Sequence, residues 1–183
     1  MGILQEIIKR KKEGTKSFAI LIDPDKIKNE KDLIKLVNLS NESIVDFIFV
    51  GGSLITKNVL PDVVKVIKKH CEIPVILFPG SNMHIDFDAD AILFLSLISG
   101  RNAEFLIGQH VVAAPLLKNS SLEVISCGYM LIGSHNETAA AYMSNTTPIP
   151  HSQNTIASST AIAGEMLGFK LIYISFLRFG FPK

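Results

Sequence analysis

The chain has 183 residues, 48% of them hydrophobic, with 12 glycines and 8 prolines, the make-up of an ordinary globular domain with a sizeable core. Eighteen basic residues against 17 acidic ones leave a net charge of +1, which removes the electrostatic footprint of a nucleic-acid binder. The two cysteines, Cys71 and Cys127, form no C-x-x-C pair, so neither a zinc site nor a disulfide framework is signalled and a reducing, cytoplasmic setting is expected.

At the start of the chain Ile3, Leu4, Ile7 and Ile8 recur at helical spacing, and the basic run Lys9 to Lys12 follows them rather than preceding them, which is not the order of a secretory signal. Such a helix either closes the bottom of the core, the reading favoured here, or lies on a membrane surface as a peripheral contact. The longest apolar run, Ala91 to Ile98, is broken by Ser96 and is far short of the roughly 18 residues needed to span a bilayer.

Four apolar runs then end in small or polar residues. Ser17 to Asp23 is predicted to be a strand buried on both faces that ends in a carboxylate. Ile44 to Val50 ends in Gly51-Gly52-Ser53, Pro74 to Phe78 in Pro79-Gly80-Ser81, and Ala91 to Leu95 in Ser96. Between them, Asp32, Leu33, Leu36, Val37 and Leu39, and then Val59, Val63, Val66 and Ile67, carry a helix's spacing.

The segment Arg101 to His110 continues the alternation, and Leu122 to Ile132 is a fifth strand. Asn136 is a fair N-cap for a helix to Tyr142, Thr155 to Leu167 is a helix stopped by Gly168, and Lys170 to Ile174 is a sixth strand.

Strands alternating with helices, with no linker between them, indicate an α/β domain of βα units. The first strand is followed by Asp23-Pro24-Asp25-Lys26 rather than a G-x-G-x-x-G turn, so a TIM (β/α)8-type barrel is preferred to a doubly wound sheet. Such a barrel has eight strands and about 250 residues. The expectation is therefore a barrel truncated after about six strands over residues 1–174, with 175–183 a divergent tail.

In such barrels the reactive groups gather where strands end. Asp23 and Asp25, then Gly51, Gly52 and Ser53, then Gly80 and Ser81, then Ser96 stand at four of these ends. Mg²⁺ takes oxygen ligands and keeps water and substrate phosphate oxygens, so Asp23 and Ser53 suffice to seat it. The competing readings are local: an Asx turn around Pro24, and a tight turn at Gly51-Gly52.

The segments LIDPDK (21–26), FVGGS (49–53), FPGS (78–81), LFLSLISGRN (93–102), GYMLIG (128–133), YMSNTTPIP (142–150) and AGEMLGFKLIY (163–173) resemble the geranylgeranylglyceryl phosphate synthase family, most closely the bacterial members of its second group. The likeness runs in order up to about Ile174. It implies a Mg²⁺-dependent prenyltransferase on a (β/α)8 barrel that joins a long prenyl diphosphate, geranylgeranyl or similar, to sn-glycerol 1-phosphate. The product is the precursor of an ether phospholipid. By motif position Asp23 and Ser53 correspond to the family's Mg²⁺ ligands and Tyr173 to a tyrosine that contacts glycerol phosphate, and the full-length form is expected to be a homo-oligomer.

After Tyr173 the family continues with a Leu-Glu-Ala-Gly-Ser-Gly run whose glutamate is thought to orient or deprotonate the glycerol hydroxyl. Here Ile174-Ser175-Phe176 follows, and Ser175 stands where the carboxylate is expected. The abrupt change suggests a shift of reading frame. The expectation is a chain that is inactive as it stands and prone to self-association through uncovered strand edges. Two other functions remain open: a non-catalytic remnant that binds Mg²⁺ or prenyl diphosphate, and a barrel acting on another small phosphorylated metabolite.

The five histidines, His70, His84, His110, His135 and His151, lack metal-ligand spacing. They are read as surface or supporting residues; His110, after the strand-four loop region, could reach a diphosphate, though nothing in the spacing requires it. Ser158, Ser159, Thr160 and Gly164 fit close helix packing better than a phosphate-binding helix start.

Overall fold

The computed structural model describes residues 2–57, 59–133 and 138–177. It contains six strands, β1 (Ala19–Ile22), β2 (Phe47–Gly52), β3 (Val75–Pro79), β4 (Ala91–Leu97), β5 (Glu123–Gly133) and β6 (Leu171–Leu177). The helices are α1 (Ile3–Lys12), α2 (Glu30–Glu42), α3 (Leu60–His70), α4 (Gln109–Lys118), α5 (Ala139–Ser144) and α6 (Asn154–Met166). A 3-10 turn (Pro24–Lys26) follows β1 and a π-helical segment (Glu104–Gly108) leads into α4.

The sheet order is β1-β2-β3-β4-β5-β6. Each strand neighbours the next in chain order, which is the α/β arrangement of a (β/α) barrel and not the reversing order of a doubly wound sheet. The chain gathers into two compact units. One takes the chain up to Leu93 with Leu116–Ile125, the other Phe94–Pro115 with the chain from Ser126 on.

In the first unit β1 pairs with β2 in parallel, Ile22 opposite Val50, and β2 with β3, Gly51 opposite Phe78. The core is Ile48, Val50, Val75, Ile76, Leu77, Ile92 and Leu93 from the strands, against Leu33 and Val37 of α2 and Val63, Val64 and Ile67 of α3. Burial of these aliphatic side chains, roughly 1.5–3 kcal/mol each, is what holds both helices to the strands. Asn29 caps α2 by accepting the Asp32 N–H.

The N-terminal helix docks at the amino ends of strands, with no residue fully buried. Its Ile3 and Leu4 N–H groups donate to the Glu123 carboxylate at the start of β5, at 2.6 and 2.9 Å. Arg10 reaches Asp46, just ahead of β2. That placement agrees with a helix at the bottom of the core. Among the described residues no helix is long and apolar enough to cross a membrane.

In the second unit β5 and β6 pair in parallel over seven residues, Cys127 with Leu171 through Gly133 with Leu177. Leu97, Leu131 and Ala141 form one buried cluster; Met130, Ile132 and Ile149 form another, against Ile98, Ala157, Ala161 and Ile172. Helix α6 comes close to β5 at two glycines. A Cβ on either Gly128 or Gly164 would lie 2.8 Å from the same Ile98 methyl and 2.9 Å from the same Ile172 methyl. The hydroxyls of Ser158 and Thr160 donate back to the helix's own carbonyls, of Thr155 and Ile156. Close packing thus involves Gly164, while Ser158 and Ser159 are exposed.

Several expectations need correction. The first strand is not buried on both faces: Leu21 is 50% exposed and only Ile22 is buried, because β1 has β2 as its one neighbour in the strand order. The second strand starts at Phe47 rather than Ile44, which is 88% exposed, and runs through Gly51 and Gly52, which are ladder residues and not a tight turn. The sixth strand continues to Leu177, so Ser175 pairs with Leu131 inside the ladder. Asn136 lies outside the described residues, and the cap of α5 is Thr138, whose hydroxyl accepts the Ala141 N–H.

Candidate functional site

The parallel pairing of β1, β2 and β3 brings their carboxyl ends side by side in the first unit. Asp23 follows β1 directly and Ser53 follows β2 directly. A Cβ built on Gly52 would lie 3.5 Å from both Cγ and Oδ1 of Asp23. The carboxylate therefore rests over Gly52, one residue from the Ser53 hydroxyl-bearing position.

The local reading of Asp23 is also realised. Its Oδ1 accepts the Asp25 N–H at 3.2 Å, capping the 3-10 turn that Pro24 opens, and its Oδ2 accepts from Lys26 Nζ at 3.1 Å. The Lys26 side chain is 82% exposed, so this ion pair stands at the surface.

Asp25 ties two loops together. Its Oδ2 accepts the Thr56 N–H and the Thr56 hydroxyl, both at 2.8 Å. These bonds hold its carboxyl below the usual carboxylate range. The Lys57 backbone and charge act on the same carboxyl in the same direction.

The third strand end packs against the second at backbone distance. A Cβ on Gly51, whose φ is +153°, would fall 2.0 Å from the Phe78 carbonyl oxygen. One on Gly80 would fall 2.3 Å from the Gly52 oxygen and 2.8 Å from that of Ser53. Only glycine fits at either position. Gly80 donates its N–H to His84 Nδ1 at 3.2 Å, and burial lowers the imidazole's affinity for a proton, opposed by the Asp25 charge. Ser81 Oγ accepts the Met83 N–H.

Among the described residues no group of three or more His, Cys, Asp or Glu side chains could cage a metal. The donor set present is of another kind: the Asp23 carboxylate and Ser53 hydroxyl, hard oxygens that suit Mg²⁺ when substrate phosphate oxygens and water complete the shell. These residues fit the ion.

In the second unit Tyr173 sits within β6 opposite Tyr129 of β5, ring centroids 5.7 Å apart and tilted by 58°. Ser175, two residues on and on the same face, hydrogen-bonds the Tyr129 phenol. Burial pushes the ionisation of both phenols up.

Ser96 of β4 and His110 of α4 are both buried in the second unit. Ser96 is 5% exposed and its hydroxyl donates to the Leu106 carbonyl of the π-helical segment, so it serves packing rather than phosphate binding. His110 is 8% exposed, with Phe94 edge-on at 4.4 Å, and burial lowers its affinity for a proton. It is a buried residue of the second unit.

The profile of the PcrB family matches residues 6–180. The chain belongs to that family. The geranylgeranylglyceryl phosphate synthase of Chitinophaga pinensis is 52% identical over 172 residues, 94% of this chain and 68% of that protein. The synthase of the same name from Thermococcus kodakarensis is 38% identical over 175 residues, 95% of this chain and 68% of that one. Among solved structures, the wild-type enzyme from Thermoplasma volcanium superposes with a TM-score of 0.87 at 32% identity, covering 96% of this chain and 70% of that one. The Thermoplasma acidophilum enzyme, solved with its substrate sn-glycerol-1-phosphate, gives 0.88 at 29%, with the same coverage. The chain thus spans about two thirds of the length of these PcrB-family relatives.

Within this PcrB-family chain, sequence reasoning missed Thr56 and His84. Neither has a spacing that marks it: Thr56 acts on the loop of a neighbouring strand and becomes visible only when β1 and β2 lie in register, whereas His84 bonds Gly80 within its own loop.

Proposed function

We propose that the chain carries the machinery of a Mg²⁺-dependent prenyltransferase that joins a long prenyl diphosphate to sn-glycerol 1-phosphate. The glycerol hydroxyl oxygen bonds to the allylic carbon, the carbon–oxygen bond to diphosphate breaks, and the hydroxyl proton leaves. The observation that carries this reading is the Asp23 carboxylate lying over Gly52, next to Ser53, at the ends of adjacent parallel strands.

Asp23 and Ser53 would hold Mg²⁺, which when bound supplies Lewis-acid stabilisation of the departing diphosphate. Lys26, released from Asp23, offers a further positive charge to that anion. Asp25 clamps the β1 and β2 loops through Thr56 and so fixes the spacing of the two ligands. Tyr173 would donate its phenolic hydrogen to the glycerol phosphate; burial moves its ionisation further above neutral pH.

Deprotonation of the attacking hydroxyl is the weak step. At the expected carboxylate position stands Ser175, hydrogen-bonded to a phenol that burial keeps neutral, and neither group is a base at pH 7. The reading is therefore a chain that binds Mg²⁺ and diphosphate and transfers prenyl groups at most feebly. Incubation with geranylgeranyl diphosphate, sn-glycerol 1-phosphate and Mg²⁺, with extraction of the ether product, is the test, run beside calorimetric binding of the diphosphate. Mg²⁺-independent binding, or preference for an unrelated sugar phosphate, would overturn it.

A further inference from the structure

The loop after β3 is closed by one side chain. Gly80 donates its N–H to Nδ1 of His84, and the His84 N–H returns to the Ser81 carbonyl at 3.1 Å. A ring nitrogen that accepts carries no proton, so the imidazole is the neutral form with its hydrogen on Nε2. Gly80 itself presses on the Gly52–Ser53 peptide, with no room for even a methyl group between them. A hydrogen bond, a peptide contact and a hydroxyl-bearing residue stand in series: His84, Gly80, Ser53.

We propose that His84 is a positioning residue for Ser53, holding Gly80 against the Gly52–Ser53 peptide so that the serine hydroxyl keeps its direction at the end of β2. For what Ser53 does, this rests on the metal reading above; for where Ser53 is held, it does not. Asparagine at position 84 would place Oδ1 where Nδ1 now accepts, whereas alanine offers no acceptor. The two substitutions therefore separate the hydrogen bond from the presence of a ring.

The test uses the full chain with His84→Ala and His84→Asn, amide exchange at Gly80 read by NMR, and calorimetric binding of inorganic pyrophosphate with Mg²⁺. In His84→Ala the Gly80 amide should exchange about tenfold faster and pyrophosphate affinity should fall about five- to tenfold, the size of one lost hydrogen bond. In His84→Asn both should return to within about threefold of the parent chain. If the alanine variant does not fold, His84→Gln, whose acceptor sits one bond further out, takes its place with the same losses expected. Unchanged Gly80 exchange overturns the inference. So does unchanged affinity in His84→Ala when Asp23→Asn abolishes binding, and that outcome leaves the metal reading standing. A parent chain that binds no pyrophosphate with Mg²⁺ overturns the metal reading and, with it, the functional half of the inference.

Discussion

Asp25 accepts two hydrogen bonds from the single residue Thr56, one from its N–H and one from its hydroxyl, both at 2.8 Å, joining the turn after β1 to the chain after β2. Because these bonds lower the carboxyl's pKa from 3.8, the stability Asp25 contributes is complete above its unfolded value and is lost as pH falls through its lower folded value. Asp25→Asn should therefore flatten the acid limb of a stability–pH curve below about pH 4 and leave it unchanged near neutrality in slope. Thermal melts from pH 2.5 to 7, each number roughly set by the carboxylate range, check this.

Asp23→Asn separates charge from capping. Asparagine caps a turn about as well as aspartate, so the melting temperature should hardly move. Mg²⁺-dependent binding of pyrophosphate should fall by more than about tenfold, since a neutral amide is a poor ligand for a hard cation. Calorimetry with and without Mg²⁺ distinguishes a metal ligand from a cap.

Neighbouring glycines should respond differently. A methyl group at Gly51 meets the Phe78 carbonyl at 2.0 Å, and Gly51→Ala should cost roughly 3 kcal/mol or more, read by denaturant unfolding. At Gly52 the same methyl would touch the Asp23 carboxylate at 3.5 Å, an ordinary contact. Gly52→Ala should stay within about 1 kcal/mol in stability while weakening Mg²⁺–pyrophosphate binding.

Ser175→Ala should raise the Tyr129 ionisation further, because the hydrogen bond it removes opposes the larger effect of burial. With three tyrosines in the chain, an ultraviolet titration compared with the same titration of Tyr129→Phe isolates the shift. A downward shift would show that Ser175 does not support the phenolate.

Much of the fold was legible because buried parallel strands write themselves as continuous apolar runs ending in small residues, as at 74–78 and 91–95. What stayed hidden was which polar residues at those ends face one another. Asp23 and Ser53 stood out by type and place. Thr56, His84 and Tyr129 did not, since their partners are 31, 4 and 46 residues away and are set by strand register or loop closure rather than by any local pattern. Ser96 and His110 show the opposite case: polar and near the end of β4 in sequence, both are buried, the Ser96 hydroxyl bonded to the Leu106 carbonyl and the His110 ring edge-on to Phe94.

The capping of α1 by Glu123 has a consequence for the order in which the molecule assembles. A ten-residue helix alone is marginal in water, and the carboxylate that satisfies its first amides lies 120 residues downstream of Ile3. During synthesis α1 emerges well before β5 and waits, uncapped, until residue 123 is made. A chain stalled before residue 123 leaves this helix without the carboxylate that satisfies its first amides.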